Sequence, residues 1–307
     1  MANLKLQAGQ TVVITGAGSG FGLELARLAA AKGLNLVLTD VQQDALDAAV
    51  AELSAVGVQV AALRGDVSRA EDVQALADLC MERFGAPHVV INNAGVAHGG
   101  LIWEHTQRDW EWVLGVNLFG VVHGLRVFMP LMLEAARQDP TWQGHMVNVA
   151  SMAGLLNSPN MGAYNVSKHA VVSLSETLYQ DLALVTDQVH ASVLCPYFVP
   201  TGIHLSHRNR PAELRSEGKP TASQMIAQAM STKAVTSGRV TAADTAQLVF
   251  NAIEAGQFYV YTHPQALGMV QTRLEDVVQA RNPTDPFAGK PELGEQLRKA
   301  LREAMKD

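Results

Sequence analysis

The 307-residue chain is poor in cysteine and in charge. Its two cysteines, Cys80 and Cys195, are too few for a disulfide framework, which favours a reducing, cytoplasmic location. Charged residues make up 17% of the chain, and the net charge is −6. Without a basic surplus, the chain is not expected to bind nucleic acid or an anionic membrane surface.

Long hydrophobic runs are also missing from the sequence. No uninterrupted apolar stretch approaches the roughly 18 residues that span a bilayer, and the first residues lack the pattern of a secretory signal. We therefore expect no membrane partner. There are no internal repeats, and hydrophobic residues make up 48%, which is ordinary for a globular protein with a sizeable core.

A glycine-rich turn stands out near the N-terminus. The apolar run 11–14 is typical of a buried strand, and it leads into Thr15-Gly16-Ala17-Gly18-Ser19-Gly20-Phe21-Gly22. Residues 22–33 have helical spacing and end on a glycine. A strand, a glycine turn and a helix N-terminus together place backbone N–H groups where a pyrophosphate can bind. The alternative is a tight turn in which the glycines only allow the backbone conformation and bind nothing.

A carboxylate follows the next predicted strand, 34–39. Asp40 lies 18 residues after Gly22, close to the spacing at which dinucleotide-binding folds place an acidic residue on the ribose hydroxyls. Because a carboxylate repels a 2′-phosphate and neither Ser19 nor Val41 is a cation, this position predicts NAD rather than NADP. The alternative is an aspartate that only caps a helix.

Strand and helix patterns alternate along the rest of the chain. This alternation predicts a single α/β domain, residues 1–307, with a doubly wound (Rossmann) parallel sheet of about seven strands and helices on both faces. Ligands in such sheets bind beyond the carboxyl ends of the strands, where Gly16, Asp40, Asp66 and Asn93 all fall. The predicted helices are 42–56, 71–84, 107–133, 164–185, 222–230, 242–255 and 265–280, and the later strands are 58–63, 88–91, 145–150, 189–194 and 258–262.

Tyr164 and Lys168 share one face of a predicted helix, one turn apart. An ammonium near a phenol favours the phenolate, so we expect a lowered pKa for Tyr164 and a role in moving a substrate proton. Ser151, after the fifth strand, is positioned to hold the substrate oxygen. Asn117, inside an apolar helix, either bonds to backbone in the core or holds a water beside Lys168, since an unpaired buried amide is costly.

These motifs together resemble the short-chain dehydrogenase/reductase family over about residues 8–202. The matching motifs are T-G-x-x-x-G-x-G at 15–22, N-N-A-G at 92–95, and the ordered set Asn117, Ser151, Tyr164 and Lys168. The resemblance implies that Tyr164 is the general acid/base, that Lys168 assists it and bonds the nicotinamide ribose, and that Asn117 holds a relay water. The cofactor-binding residues that it implies are Gly16, Gly18, Ser19, Gly20, Phe21, Gly22, Asp40, Asp66, Val67, Asn93, Gly95, Tyr164, Lys168, Pro196, Val199 and Thr201.

The last third departs from the family pattern. Tyr197 replaces a usual glycine, and its ring either narrows the nicotinamide pocket or points into the core. Residues 204–240 are too long for a simple connection and are expected to form a substrate lid, or else a disordered surface insertion. Residues 264–307 are expected to form a C-terminal helical extension, with a helix at 265–280 and a charged tail beyond it. His204 and His207 lack further ligands at metal spacing, so no metal is expected.

We expect an NAD-dependent oxidoreductase that interconverts a bulky, largely apolar secondary alcohol, of aryl or steroid type, and its ketone. Candidate pocket walls are apolar: Trp103, Met152, Leu155, Leu156 and Met161. One alternative is a 3-oxoacyl or other carbonyl reductase of the same family, and another is a non-catalytic NAD(H)-binding sensor. The resemblance also implies a homodimer or homotetramer formed through the helices beginning near Gln107 and Tyr164.

Overall fold

The computed structural model describes residues 4–216 and 218–304. Within these residues, seven parallel strands form one sheet in the order β3-β2-β1-β4-β5-β6-β7. The doubly wound fold is therefore confirmed. The strands are β1 (Thr11–Thr15), β2 (Asn35–Asp40), β3 (Val60–Arg64), β4 (Val89–Asn92), β5 (Gly144–Val149), β6 (Val189–Cys195) and β7 (Tyr259–Tyr261).

Helices cover both faces of the sheet. They are α1 (Gly20–Ala31), α2 (Gln43–Ser54), α3 (Ala70–Phe84), α4 (Gln107–Leu114), α5 (Gly120–Gln138), α6 (Gly162–Val185), α7 (Ala222–Thr236), α8 (Ala242–Ala255), α9 (Leu267–Val278) and α10 (Pro291–Ala304). Neighbouring residues of one strand enter opposite cores. Val12 and Ile14 belong to one buried cluster, and Val13, between them, belongs to another. This two-sided burial explains why the strands are apolar runs without polar alternation.

The sequence-predicted element bounds agree with the structure to within a few residues, with three differences. The predicted helix 107–133 is divided by a π-helical turn at Gly115–Phe119 and continues to Gln138. Helix α7 runs six residues beyond its predicted end, and the charged C-terminal tail contains α10. The spacing of apolar residues in the sequence does not reveal a π-helical turn, because such a turn lengthens the helical repeat by only about one residue.

The helical run Gln107–Gln138 also corrects one expectation about membranes. By length and composition, this run could cross a bilayer, with a mean hydropathy of 1.5 over an 18-residue window that is 39% buried. The sequence argument looked for an uninterrupted apolar stretch and so passed over it. A single such run is weak evidence, because core helices of globular proteins pass the same test. Here Phe128 and Met132 of α5 are fully buried in the core.

The strand order reverses direction between β1 and β4. The connections from β1 lead outward to β2 and β3, and those from β4 lead the other way to β5, β6 and β7. The crevice at this switch point is where ligands bind in doubly wound sheets. The turn after β1 and the turn after β4 border it directly.

Candidate active site

The glycine turn after β1 is held in a conformation that a side chain would disrupt. Gly16 has φ +65°, in the left-handed region. A Cβ on Gly22 would lie 2.0 Å from the carbonyl oxygen of Gly16, which is impossible without moving the backbone. Close packing of this kind brings the N-terminus of α1 against the strand end, where its N–H groups face the crevice.

Asn93 braces this turn from the end of β4. Its side-chain amide donates to the carbonyl oxygens of Thr15 (2.8 Å) and Gly16 (3.1 Å). In return, the Thr15 hydroxyl accepts hydrogen bonds from the backbone N–H groups of Asn93 and Ala94. Asn93 therefore shapes the crevice as well as lining it.

Asp40 lies beside the glycine turn at the end of β2. One carboxylate oxygen accepts from the Gly18 N–H at 2.8 Å, and the other accepts from the Gln42 N–H at 2.9 Å. Helix α2 begins at Gln43, so Asp40 precedes the capping position, and it lines the crevice. An exposed cation that the sequence argument missed is close by: Nε of Arg64 donates to the Val41 carbonyl at 3.0 Å.

Asp66 and Val67 follow β3 along the same edge. Asp66 accepts hydrogen bonds from the backbone N–H and the hydroxyl of Ser68, which fixes the turn. Val67 is buried, and both residues line the crevice. The crevice thus extends along the strand ends from β4 through β1 and β2 to β3.

Ser151, Tyr164 and Lys168 meet at the other end of the crevice. Ser151 follows β5, and its hydroxyl donates to the Pro196 carbonyl at 3.4 Å and lies near enough to the Tyr164 phenol to affect its pKa. The Lys168 ammonium lies 5.9 Å from the centroid of the Tyr164 ring and donates to the Val149 carbonyl at 2.9 Å. Tyr164 and Lys168 both line the crevice.

The expected lowering of the Tyr164 pKa is wrong. Burial raises the pKa of Tyr164, and the hydrogen bond from Ser151 offsets this only in part. Burial also lowers the pKa of Lys168 to about 8. The sequence argument considered the charge pair alone, whereas desolvation disfavours the charged form of both groups.

Asn117 is fully buried with its amide satisfied. Its oxygen accepts from the Val96 N–H at 2.8 Å, and its nitrogen donates to the Val96 carbonyl and to the Ser167 hydroxyl, each at 3.0 Å. The sequence left two interpretations of Asn117 open, and these contacts are those of an asparagine that bonds to backbone in the core. A Cβ on Gly95 would lie 3.4 Å from the Asn117 oxygen and 3.5 Å from the Lys168 nitrogen, so Gly95 keeps a small gap between them.

The segment after β6 completes the crevice. Pro196 and Thr201 line it, whereas Val199 is buried beneath the surface. The ring of Tyr197 packs on Phe198, with centroids 4.2 Å apart, and meets His263 edge-on at 5.8 Å. Tyr197 is not among the described residues that line the crevice, so its ring is directed towards β7.

Sequence reasoning missed part of the crevice wall. The structure brings to it residues that follow β4, that lie in α4 and the π-helical turn after it, and that follow β6: Val96, Trp112, Val116, Ile203, Ser206, Arg208 and Asn209. None of the five apolar walls proposed from the sequence is among the described lining residues. Met152 is buried in the core, and Trp103 is 69% exposed. These positions follow the motifs in sequence, but tertiary packing directs them elsewhere.

The segment expected to be a lid is folded against α4. A guanidinium nitrogen of Arg210 lies 2.7 Å from the Asp109 carboxylate; the Asp109 side chain is fully buried and that of Arg210 is 9% exposed. The Arg210 guanidinium also lies 5.0 Å from the ring of Trp112. Burial works against the charge on Asp109, but hydrogen bonds from His98 and Thr106 outweigh it and lower the pKa of Asp109. We call this ion pair the Asp109–Arg210 latch.

One group of described residues has the geometry of a metal site. Ligand atoms of His98, His105 and Asp109 lie within 4.8 Å of one another. However, Arg210 and Thr106 already engage the two oxygens of the Asp109 carboxylate. Because a guanidinium occupies the position that a cation would need, we assign no metal there. His204 and His207 are in the short helical segment Gly202–Asn209.

Comparisons with known proteins agree with this geometry. A sequence profile described as short chain dehydrogenase matches residues 10–211. The chain is 50% identical to a short-chain dehydrogenase/reductase from Burkholderia phymatum solved in complex with NAD, with a TM-score of 0.89 over 92% of this chain and 99% of that one.

Two curated relatives are similar along most of their length. A CLA biosynthesis dehydrogenase/reductase of Lactiplantibacillus plantarum is 32% identical over 88% of this chain and 93% of its own. A 1-deoxy-11-beta-hydroxypentalenate dehydrogenase of Streptomyces avermitilis is 34% identical over 87% of each chain.

Proposed function

This chain belongs to the short-chain dehydrogenase family of oxidoreductases, and on that premise we propose that it oxidises a bulky, largely apolar secondary alcohol with NAD, or runs the reverse reaction. The observation that carries the proposal is the meeting of Ser151, Tyr164 and Lys168 at one end of a crevice whose other end is a glycine turn.

The crevice fits a dinucleotide. Gly16 and Gly22 leave room at the N-terminus of α1, where backbone N–H groups and the helix dipole favour a diphosphate. Asp40 presents a carboxylate where ribose hydroxyls would donate to it, and Asp66 and Val67 extend the wall beyond. In our proposal, the residues around Tyr164 and Thr201 receive the nicotinamide end, which accepts or returns the hydride when bound.

Tyr164 acts as the general acid/base. During oxidation, its deprotonated oxygen takes the proton of the substrate hydroxyl while the hydrogen on the carbinol carbon leaves with its electron pair. Ser151, beside the phenol, would turn its hydroxyl from the Pro196 carbonyl to donate to the substrate oxygen and keep it within reach. Lys168 supplies a positive charge at neutral pH, since its pKa is about 8. Asn117 maintains the backbone beside the gap at Gly95, through which a water would relay the proton.

Asp40 is the basis for preferring NAD over NADP. A 2′-phosphate on the adenine ribose would meet a carboxylate that the Gly18 and Gln42 N–H groups hold in place. Two negative charges in contact repel each other strongly at a site that is partly shielded from water. The NAD complex of the Burkholderia phymatum relative agrees with this choice.

The residues that line the substrate end of the crevice support the proposal of a bulky apolar alcohol as the substrate. Val96, Trp112, Val116 and Ile203 give this end of the crevice apolar walls. In our proposal, residues 204–216 and 218–240 close over it as a lid that the Asp109–Arg210 latch holds in place. The Streptomyces avermitilis relative is named for a hydroxylated compound that it dehydrogenates.

We also propose a homodimer or homotetramer formed through α5 and α6. Phe119, just before α5, and Val166 on α6 are both about half exposed, which is unusual for large apolar side chains in a core helix. Size-exclusion chromatography with light-scattering detection measures the molar mass and tests this proposal, and a monomeric wild-type protein would contradict it. The cytoplasmic location stays a prediction.

The experiment is NADH formation from NAD with a panel of aryl, polycyclic and small aliphatic secondary alcohols. We expect kcat/KM to be at least tenfold higher for the bulky alcohols than for 2-propanol, because the walls are apolar. A preference for 3-oxoacyl thioesters in the reverse direction would favour the carbonyl reductase alternative. Tight NADH binding without turnover in either direction would contradict catalysis and favour a sensor.

A further inference from the structure

The crevice contains an arginine that neither the motifs nor the reaction uses. Among the described residues that line it, the cations are Lys168 and Arg208, and the anions are Asp40 and Asp66. Lys168 donates to the Val149 carbonyl beside the phenol. A dinucleotide diphosphate carries about two negative charges, and the glycine turn offers it only neutral N–H donors. Arg208 is therefore the cation left to balance this charge.

Arg208 lies on the side of the crevice where the diphosphate is expected. Its guanidinium nitrogen lies 3.4 Å from the point that a Cβ on Gly202 would occupy. Thr201, the residue before Gly202, has its Cβ 3.3 Å from the corresponding point on Gly20, the first residue of α1. Arg208 therefore lies near the N-terminus of α1, the end expected to bind an anion, with Gly202 and Thr201 between them.

The backbone around Arg208 is fixed, whereas its side chain is free. The Ser206 hydroxyl accepts from the Ala97 N–H at 3.0 Å, and the Gln228 side chain donates to the His204 carbonyl at 2.6 Å. Arg208 itself is exposed and makes no hydrogen bond or ion pair within residues 4–216 and 218–304. Arg210, two residues on, is paired with the buried Asp109.

We propose that Arg208 binds the diphosphate of the cofactor across the mouth of the crevice, which makes the lid part of the cofactor site. A guanidinium matches the paired oxygens of a phosphate and forms charge-assisted hydrogen bonds with them. The inference rests on the proposed dinucleotide cofactor. It deepens that proposal because it joins cofactor binding to the position of the lid over the substrate.

The test is equilibrium binding of NAD, ADP and adenosine to the full chain without substrate. For Arg208→Gln, we expect Kd to rise about tenfold for NAD and ADP, which carry the diphosphate, and to be unchanged for adenosine. Arg208→Lys should recover part of the affinity. The matched control is Arg215→Gln, an exposed arginine of the same segment outside the crevice, which should change each Kd less than twofold.

Ionic strength gives a second readout. The Kd for NAD should rise more steeply with added NaCl in the wild type than in Arg208→Gln, because the variant lacks the screened charge pair. Parallel salt dependences would overturn the assignment.

Besides parallel salt dependences, two results would overturn the proposal. One is an unchanged NAD affinity in Arg208→Gln; if the KM for alcohols that carry a carboxylate then rises, the substrate and not the diphosphate lies at Arg208. The other is an equal loss of affinity for adenosine, which would show that the arginine does not act through the diphosphate. Because binding is measured without turnover, a protein that binds NAD through Arg208 but oxidises no alcohol would contradict the proposed function alone.

Discussion

The glycine turn after β1 and the segment after β6 that we propose as a lid border the same crevice, but they are built differently. The core of the glycine turn is local, since Gly16 and Gly22 lie six residues apart, and Asn93, 78 residues after Thr15, adds a brace from the end of β4. The lid segment depends on distant partners, since Arg210 reaches Asp109, 101 residues earlier in the chain. The cofactor side is therefore fixed by short-range backbone geometry and the substrate side by a largely buried side-chain pair.

Because of this difference, a substitution on one side of the crevice should still allow the function of the other side to be measured. A glycine substitution should remove cofactor binding, and loss of the latch should disturb the lid and the substrate wall. Tyr164, bonded to Ser151, lies between the two sides.

The largest effect is expected at the glycine turn. In Gly22→Ala, the new Cβ would lie 2.0 Å from the Gly16 oxygen, so the turn must move away from the N-terminus of α1. We expect the Kd for NAD to rise at least 100-fold, measured by NADH fluorescence titration. Gly268→Ala is the control, because a Cβ there meets nothing within 4 Å. Normal NAD affinity in Gly22→Ala would contradict the account.

The next effect concerns the Asp109–Arg210 latch. Arg210→Met leaves the fully buried Asp109 carboxylate without its cation, and the free energy of unfolding should fall by about 3–5 kcal/mol. Chemical denaturation measures this change. The double variant Asp109→Leu with Arg210→Met should regain much of the loss, since no charge is then left buried. A single variant as stable as the wild type would show that the latch does not hold the lid.

A smaller effect is expected for cofactor choice. Asp40→Ala removes the carboxylate that repels a 2′-phosphate and leaves Arg64 nearby. The ratio of NADP to NAD efficiency should rise about 10- to 100-fold, or about 1.4–2.7 kcal/mol. Adding Arg64→Ala should reverse part of that rise. An unchanged ratio in Asp40→Ala would exclude Asp40 from the ribose site.

The smallest effect is a change in pH dependence. Since burial raises the pKa of Tyr164, its deprotonated form gains population as the pH rises, so alcohol oxidation should increase from pH 6 to about pH 8, where Lys168 begins to lose its charge. Ketone reduction, which needs the protonated phenol, should fall over the same range. Initial rates in both directions between pH 6 and 10 check this, and an oxidation rate that peaks below pH 7 would be inconsistent with it.

The sequence predicted the cofactor side better than the substrate side for a physical reason. Gly22 and Asp40 act within a single strand–helix–strand unit, and Lys168 lies one helical turn from Tyr164, so their spacing in sequence carries the geometry. Arg208 and Arg210 gain their positions from packing against distant elements, and their spacing carries no such information. Trp112 was missed for the same reason, since its place in the crevice depends on how α4 packs.

The direction of the Tyr164 pKa was wrong because sequence spacing reports the nearby charge but not the burial. Lys168 is 2% exposed, and its ammonium is bound to the Val149 carbonyl. Desolvation is a property of the folded site, so no sequence pattern could supply it. The π-helical turn at Gly115–Phe119 likewise needed the structure.

The most direct measurement compares NAD affinity and turnover in Tyr164→Phe. Our account predicts that NAD binds within about threefold of wild type, while kcat for alcohol oxidation falls by a factor of roughly 10²–10⁴, because the phenylalanine keeps the ring but has no proton to exchange. Turnover within tenfold of wild type, with the same affinity, would contradict the assignment of Tyr164 as the acid/base.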